Sequence, residues 1–311
     1  MNKNNQWIIY IVISVVLGWG SDASAQKTLI RQEGMTFIAP EVSPDGNFIA
    51  LTLKGYRGLW IVRSDGYDLR QLSDVRGAGF IKRWSPDSKW LLFRETSREN
   101  NKSKQMLKVA EVYSKSVSGI SVPTNKFEDV RWFSEDKLYL RSEGKALYVK
   151  SGLFVKNKNS INQSAVHTDS KKIFIENMSK AQRNSLTPVL GANYLNPILS
   201  PDGKKIVFKV LGRNLQVYEL SNFQLHDLGT GERPNCSPDS KKIIYQITKD
   251  DGHSIISSDI YLIKFDGTKR TAVTRTKNVN EMRPSFFPSG KQIIYDTDLL
   301  GEVRTVKVSS K

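Results

Sequence analysis

An all-β chain folded as a ring of repeated four-stranded antiparallel sheets, a β-propeller, is what the sequence predicts, and three observations predict it. A four-residue turn, Ser-Pro-Asp-Gly or Ser-Pro-Asp-Ser, recurs at Ser43–Gly46, Ser85–Ser88, Ser200–Gly203 and Ser237–Ser240. Each copy leads into a run of consecutive apolar residues, and the copies return near the period of about 40–50 residues that marks propeller blades. The last copy is one strand short, while a spare strand stands ahead of the first.

The first 25 residues stand apart. A polar start with Lys3 leads into the apolar run Trp7–Trp19 and then into Ala-Ser-Ala at Ala23–Ala25. Charged start, apolar middle and small-residue cleavage site make a secretory signal peptide, cut after Ala25. The apolar run is shorter than the roughly 20 residues of a spanning helix. Residues 1–25 are therefore read as the signal peptide and residues 26–311 as a single propeller domain, periplasmic or secreted.

The strand "KTLIRQ" comes next, before "FIAPEVSPDG", much as "LRQLSD" precedes "FIKRWSPDS". It is expected to complete the last blade, close the ring and remove an exposed sheet edge. Each repeat then has one grammar. A short strand ends in the turn, where Pro presets φ and Asp can accept nearby amides. A run such as "KKIVFKV", "KKIIYQI", "KQIIYDT" or "KWLLFRE" follows, and its unbroken apolar stretch reads as a strand covered on both faces. A third strand ("GLWIVRSDG", "DIYLIKFDG", "KALYVKS", "NLQVYELSN") and a more polar outer strand ("DLRQLSD", "KRTAVT") complete the blade. Degenerate copies lie at Asp136, Asp169 and Ser289, which gives seven blades. Six follow instead if the copy at Asp169 is only part of an irregular blade.

The stretches "PEVSPDGNFIALT…GLWIVRSDG" and "NPILSPDGKKIVF" resemble the Pro-Asp, WD40-like propeller repeat of TolB-type periplasmic proteins. The same repeat recurs in propellers of prolyl oligopeptidase relatives and in oligogalacturonate lyases. The resemblance spans the whole chain after residue 25 and speaks for fold rather than function, because the repeated residues make turns and cores. TolB is similar only in its propeller, which has six blades, and room for its α/β domain is not expected here. An oligopeptidase relative would carry a Gly-x-Ser-x-Gly elbow, which this sequence lacks. The lyase resemblance implies a histidine-rich metal site. His167, His226 and His253 fall at a turn, on an outer strand and in an interstrand loop, places that do not converge on one ion.

No cofactor is expected. The carboxylates of "DTDLLGE" (Asp296, Asp298, Glu302) and "KDDGHS" (Asp250, Asp251) lack the ligand alternation of a calcium loop. Trp60, Trp84, Trp90 and Trp132 read as inter-blade core, and the lone Cys236 as a small buried hydrophobe.

The chain carries 47 Lys and Arg against 31 Asp and Glu, a net charge of +16, and loss of the leader removes one charge of each sign, Lys3 and Asp22. That balance favours anionic partners. Outside the cytoplasm these are lipid headgroups, acidic polysaccharide or an acidic protein rather than nucleic acid. Propeller topology sorts the loops. The Ser-Pro-Asp turns share one face with Lys89, Lys137, Lys172, Lys205, Lys242 and Lys291, offset by the turn aspartates. The opposite, loop face collects Tyr56, Arg57, Arg76, Tyr194, Arg213, Arg233 and Arg283, a cation and aromatic mixture of the kind enriched at binding surfaces. The sequence thus predicts a monomeric, exported, non-catalytic scaffolding propeller that binds envelope protein through this face. A polysaccharide-active enzyme resembling oligogalacturonate lyase is the alternative.

Overall fold

The repeated turn is held by its own side chains. Ser43 Oγ donates to Asp45 Oδ1 at 2.5 Å and accepts from Phe48 N at 2.9 Å. Ser85, Ser200 and Ser237 repeat both contacts. In Asp239 the Ser237 hydroxyl holds the carboxyl below its ordinary value, against the opposing effect of burial. The fourth residue of every copy has positive φ, from 57° at Ser240 to 77° at Gly46. Glycine accepts that conformation freely. Where serine takes it, the side chain bridges blades: Asp45 N donates to Ser88 Oγ and Asp202 N to Ser240 Oγ, both at 3.0 Å.

A computed structural model describes residues 26–99, 102–114, 116–120, 124, 126–134, 137–151, 164–177, 180 and 182–308. These form seven antiparallel sheets. In order from the inner strand outward, blade 1 is Phe37–Val42, Phe48–Leu53, Arg57–Arg63 and Arg70–Arg76. Blade 2 is Lys82–Trp84, Trp90–Glu99, Lys102–Glu111 and Val117–Gly119; blade 3 is Phe127–Ser134, Lys137–Ser142 and Lys145–Lys150. Blade 4 is Ser164–Thr168, Ile173–Asn177 and Gln182–Leu186; blade 5 is Tyr194–Leu199, Lys205–Val210, Leu215–Glu219 and Leu225–Gly229. Blade 6 is Glu232–Cys236, Lys242–Asp250, Ile255–Lys264 and Thr271–Ala272, and blade 7 is Glu281–Phe286, Gln292–Thr297 and Val303–Lys307. The strand Lys27–Ile30 completes blade 7, pairing Lys27 with Thr305 and Ile30 with Val303. The expected closure is present. The signal peptide lies outside the described residues.

Seven hydrophobic clusters fill the seams between consecutive blades, and one of them, built from Leu29, Ile30, Phe37, Ile49, Leu51, Val62, Phe287, Ile294 and Val303, joins blade 7 to blade 1. Indoles reach across too. Trp84 Nε1 donates to Glu41 O and Trp132 Nε1 to Arg83 O, each at 3.0 Å. Trp84 and Trp132 are core, as expected, and the partly buried Trp60 and Trp90 pack against the seams.

Blade 4 runs in the opposite sense to the other six. In blade 5, Tyr194 pairs with Val210, at the end of the sheet away from the Ser200–Gly203 turn. Yet Tyr194 N donates to Ser170 O at 2.7 Å. The turn at residues 169–172 therefore sits at the loop end of the ring. Side chains agree. In blades 5, 6 and 7 the second strand turns Ile206 and Phe208, Ile243 and Tyr245, and Ile293 and Tyr295 toward the preceding blade, whereas the matching Ile173 and Ile175 of blade 4 pack on the following one. Leu186, paired with Ile173, then ends the third strand at the loop end, so residues 187–193 reach Tyr194 without a strand to climb back.

The copy at Asp169 is a blade in its own right, which makes seven. Two expectations are corrected: blades 3 and 4 are three-stranded among the described residues, and Lys172 belongs to the loop end rather than to the turn face.

Candidate functional site

The loop end is organised by a repeated backbone feature. In blades 1, 5, 6 and 7 the inner strand breaks register at a residue of positive φ followed by proline: Ala39 (53°), Asn196 (48°), Arg233 (51°) and Arg283 (51°). A non-glycine residue in this region costs on the order of 1–3 kcal/mol and persists only where surroundings over-determine it. Two of the four show how. Ala39 N donates to Asp296 Oδ2 and Arg283 N to Gln246 Oε1, both at 2.8 Å, so each bulge is pinned by the second strand of the preceding blade.

Asp296 has no exposure, and Arg283 Nε donates to its Oδ2 at 2.8 Å. Burial pushes the Asp296 carboxyl up, and the Arg283 pairing works against that. Lys82 of blade 2 stands where the four bulged strands have proline, and it is almost fully buried. Burial lowers its ammonium pKa, while Glu41 and Asp296 pull it back up. Arg283, Asp296, Glu41 and Lys82 thus form a charged floor.

Above that floor, on the connections of blades 1 and 2, lies a cation and aromatic ladder. Tyr56 packs edge-on to Phe80 with ring centroids 5.1 Å apart, and the Arg94 guanidinium sits 4.7 Å from the Phe80 centroid. Phe80 remains 57% exposed. Tyr56 also contributes to the electrostatics of Arg283, which ties ladder to floor. Beside it Arg57 and Arg76 face each other in antiparallel register, both exposed, and no carboxylate among the described residues pairs with either. Like charges directly opposite in a sheet are destabilising. An anion placed between them relieves the repulsion.

The sequence-predicted residues do not all meet. Tyr56 lies near Arg283 and next in sequence to Arg57, which faces Arg76, while the Arg283 guanidinium is itself engaged with Asp296. Arg213 and Arg233 are exposed on blades 5 and 6, Arg233 beside a cavity of about 180 Å3 that it lines with Asn196, Lys209 and Glu232. Tyr194 is a correction. It is fully buried between blades 4 and 5, with its hydroxyl donating to Val189 O at 2.5 Å, and it presents no surface to a partner. Lys82, Asp296 and Arg94 were missed. Lys82 had a visible signal: a lysine in the slot of Pro40, Pro197, Pro234 and Pro284.

The three histidines lie on three blades. His167 is on the inner strand of blade 4, His226 on the outer strand of blade 5 and His253 in the hairpin of blade 6. Among the described residues no group of three His, Cys, Asp or Glu is placed to hold a metal ion. The acidic loop of blade 7 has its oxygens taken by cations: Asp298 pairs with Lys54 at 3.3 Å, and Glu302 with Arg304 and Arg31. Cys236 is half-buried, and burial raises its thiol to about 12.

These features define a β-propeller with a basic and aromatic loop end. The chain is similar in fold to the β-propeller domain of Cps50 (Swd1) from Myceliophteria thermophila, with a TM-score of 0.62 at 9% identity over 91% of this chain and 100% of that one. More distant likenesses are to an oligogalacturonate lyase in complex with manganese (TM-score 0.49, 13% identity, 92% and 83% covered) and to TolB from Acinetobacter baumannii (0.48, 15%, 88% and 63%). The chain thus spans less than two thirds of the length of that TolB. At these identities the likeness is one of fold. No protein-family model matches the sequence, and no curated protein matches it either.

Proposed function

We propose that this chain is an exported, non-catalytic binding propeller of the cell envelope. It acts in the periplasm or outside the cell as a monomer, after removal of its signal peptide, and captures a protein with an acidic surface at the loop end. Membrane headgroups offer the same charge and can hold it at the bilayer. The observation that carries this reading is the facing pair Arg57 and Arg76, cations without a carboxylate partner among the described residues, beside the exposed Phe80 and the half-buried Tyr56 and Arg94 that pack on it. Charge at such a rim governs the association rate and its salt dependence.

The test is binding to immobilised poly-L-glutamate at low and high salt, with wild type and an Arg57→Glu, Arg76→Glu variant. Salt-sensitive capture lost in the variant, with unchanged melting, supports the reading; equal capture by both overturns it. Incubating the protein with oligogalacturonate and manganese tests the enzyme alternative. Release of unsaturated product would establish a lyase and end the non-catalytic reading.

A further inference from the structure

Leucine and isoleucine side chains stand out in water at one end of the ring. Leu190 is 95% exposed, and Leu211, Ile256, Leu299 and Leu300 are exposed as well. All lie on connections or hairpin tips of the loop end. Leu190 belongs to the connection of blades 4 and 5, Leu211 to the 210–214 turn of blade 5, Ile256 to the tip of the blade 6 hairpin, and Leu299 and Leu300 to the 298–301 loop of blade 7. The backbone that presents them is held. The Tyr194 hydroxyl donates to Val189 O and accepts from Val189 N, and Ala192 N closes a turn on Val189 O at 3.3 Å, from which Leu190 projects. Thr297 N donates to Glu302 O at 2.9 Å and Glu302 N to Thr297 Oγ1 at 3.1 Å, which fixes the base of the blade 7 loop. Apolar side chains gathered at one exposed end mark an interaction surface.

Exposed cations stand between these tips. The inverted turn of blade 4 brings Lys171 and Lys172 to the loop end, where Ser170 O meets Tyr194 N. Leu211 N donates to Asn193 O at 2.9 Å, which joins the Leu190 connection to the hairpin that also carries Arg213. Ile256, Arg275 and Lys277 line one cavity of about 510 Å3, together with Asp259 and Tyr261. Asn280, at the end of that connection, accepts from Asp298 N at 3.1 Å and so joins it to the loop of Leu299 and Leu300. The carboxylates nearby are engaged. Glu232 pairs with Lys209 and Asp298 with Lys54, while Asp169, Asp250 and Asp251 accept amides of their own turns.

We propose that blades 4–7 rest their loop end on a bilayer of anionic phospholipid, with the leucine and isoleucine tips below the headgroups and the lysines and arginines among them. Aliphatic tips set apart on separate blades suit a bilayer better than a protein, because protein hot spots favour Trp, Tyr and Arg and under-use Leu. A bilayer interface rewards each apolar group dipped into it and each cation beside an anionic headgroup. The turn end lacks this pattern. Its exposed large side chains are mostly rings, and Tyr113 and Phe223 lie against Phe48 and Tyr218. The surface lies beside the Tyr56–Phe80–Arg94 ladder of blades 1 and 2 and does not rest on the capture of an acidic protein there.

The experiment is vesicle flotation with the chain after Ala25, since the apolar run of the leader would itself bind lipid. Vesicles of phosphatidylcholine are used with and without phosphatidylglycerol, and a Leu190→Cys, Cys236→Ala variant carries a polarity-sensitive dye. The chain is expected to float with the phosphatidylglycerol vesicles, which should shift the dye to the blue where poly-L-glutamate leaves it unshifted. Leu211→Ser with Leu299→Ser and Leu300→Ser, all at exposed positions, should weaken flotation by about tenfold or more without altering melting. Lys171→Glu with Arg213→Glu and Lys277→Glu should do the same at low salt and less at high salt. No flotation at about 1 mM anionic lipid would overturn the proposal, as would equal flotation by the leucine variant. A dye that responds to poly-L-glutamate and not to vesicles would give the tips to a protein instead and overturn it too.

Discussion

The seam between blades 7 and 1 and the seam between blades 3 and 4 do the same job with different chemistry. Where the ring closes, nine buried apolar side chains from two blades and the N-terminal strand interdigitate. At blades 3 and 4 the buried apolar cluster among the described residues is Tyr139 and Ala165, with Phe133 packed alongside. Charges fill the rest. Tyr139 donates its hydroxyl to Glu176, Arg141 bonds the same carboxylate at 3.2 Å, and Arg183 lies 3.7 Å from it while covering the Phe174 ring at 3.8 Å. The inversion of blade 4 explains the contrast. It turns the isoleucine row of the second strand toward blade 5 and leaves Phe174 and Glu176, together with His167 of the inner strand, to meet blade 3. Apolar burial is non-directional and tolerant, whereas a buried ionic network must be satisfied member by member.

The largest expected effect comes from removing the apolar seam outright. Deleting residues 27–32 should abolish cooperative melting and expose the edge of blade 7, and a truncated chain that melts like the parent would show that the strand does not close the ring. Within the same seam, Leu51→Ala empties a fully buried site and should cost about 2–5 kcal/mol by denaturant titration.

Two buried titratable groups should oppose each other over nearly the same pH range. His167 is lowered to about 4, by burial first and then by Arg141. Its folded value lies below the unfolded one, so the unfolded chain takes up the proton first, and stability falls as pH drops below about 6.5. Glu281 is raised from 4.5 to about 7. There the folded chain holds the proton longer, so stability falls as pH climbs through this range. Each is worth roughly 3 kcal/mol. The two ranges overlap, so melting curves from pH 4 to 8 should be nearly flat in wild type, with His167→Gln leaving a stability that falls toward pH 7 and Glu281→Gln one that rises toward pH 6.5. A profile unchanged by either variant would contradict the burial of these groups.

At the polar seam Tyr139→Phe removes a single bond to Glu176 and should cost about 1–2 kcal/mol, less than the apolar truncation, as the comparison requires. Smallest of all, Arg57→Glu with Arg76→Asp should leave melting within about 0.5 kcal/mol, because both side chains are exposed and their mutual repulsion is relieved only to be replaced in kind.

The turns, the second strands and the closing strand were legible in the sequence because local chemistry makes them. Serine, proline and aspartate in the turn have short-range partners, and unbroken apolar runs mean strands whichever way they point. That indifference to direction hid blade 4. "HTDSKKIFI" makes the same hairpin upright or inverted, and only the carbonyl of Ser170 meeting Tyr194 reveals the choice. Tyr194 was misplaced for a related reason: a tyrosine at the start of a strand reads as loop until its partner Val210 fixes its depth. At the loop end, the arginines of blade 1 were readable as exposed cations. The tie between Arg283 and Asp296 was not, because it forms across two strands of blade 7 at the bulge that turns Arg283 toward Asp296, and Lys82 was signalled only by its place in the proline slot.

The inversion of blade 4 can be measured directly by spin-label distances in a Cys236→Ala background. One pair, Ser170→Cys with Leu211→Cys, joins the blade 4 turn to the loop end of blade 5. The other, Ser170→Cys with Asp202→Cys, joins it to the Ser-Pro-Asp end, a strand length of about 17–20 Å away. The account predicts the 170–211 distance to be the shorter by roughly that length. A shorter 170–202 distance would place blade 4 upright and contradict it.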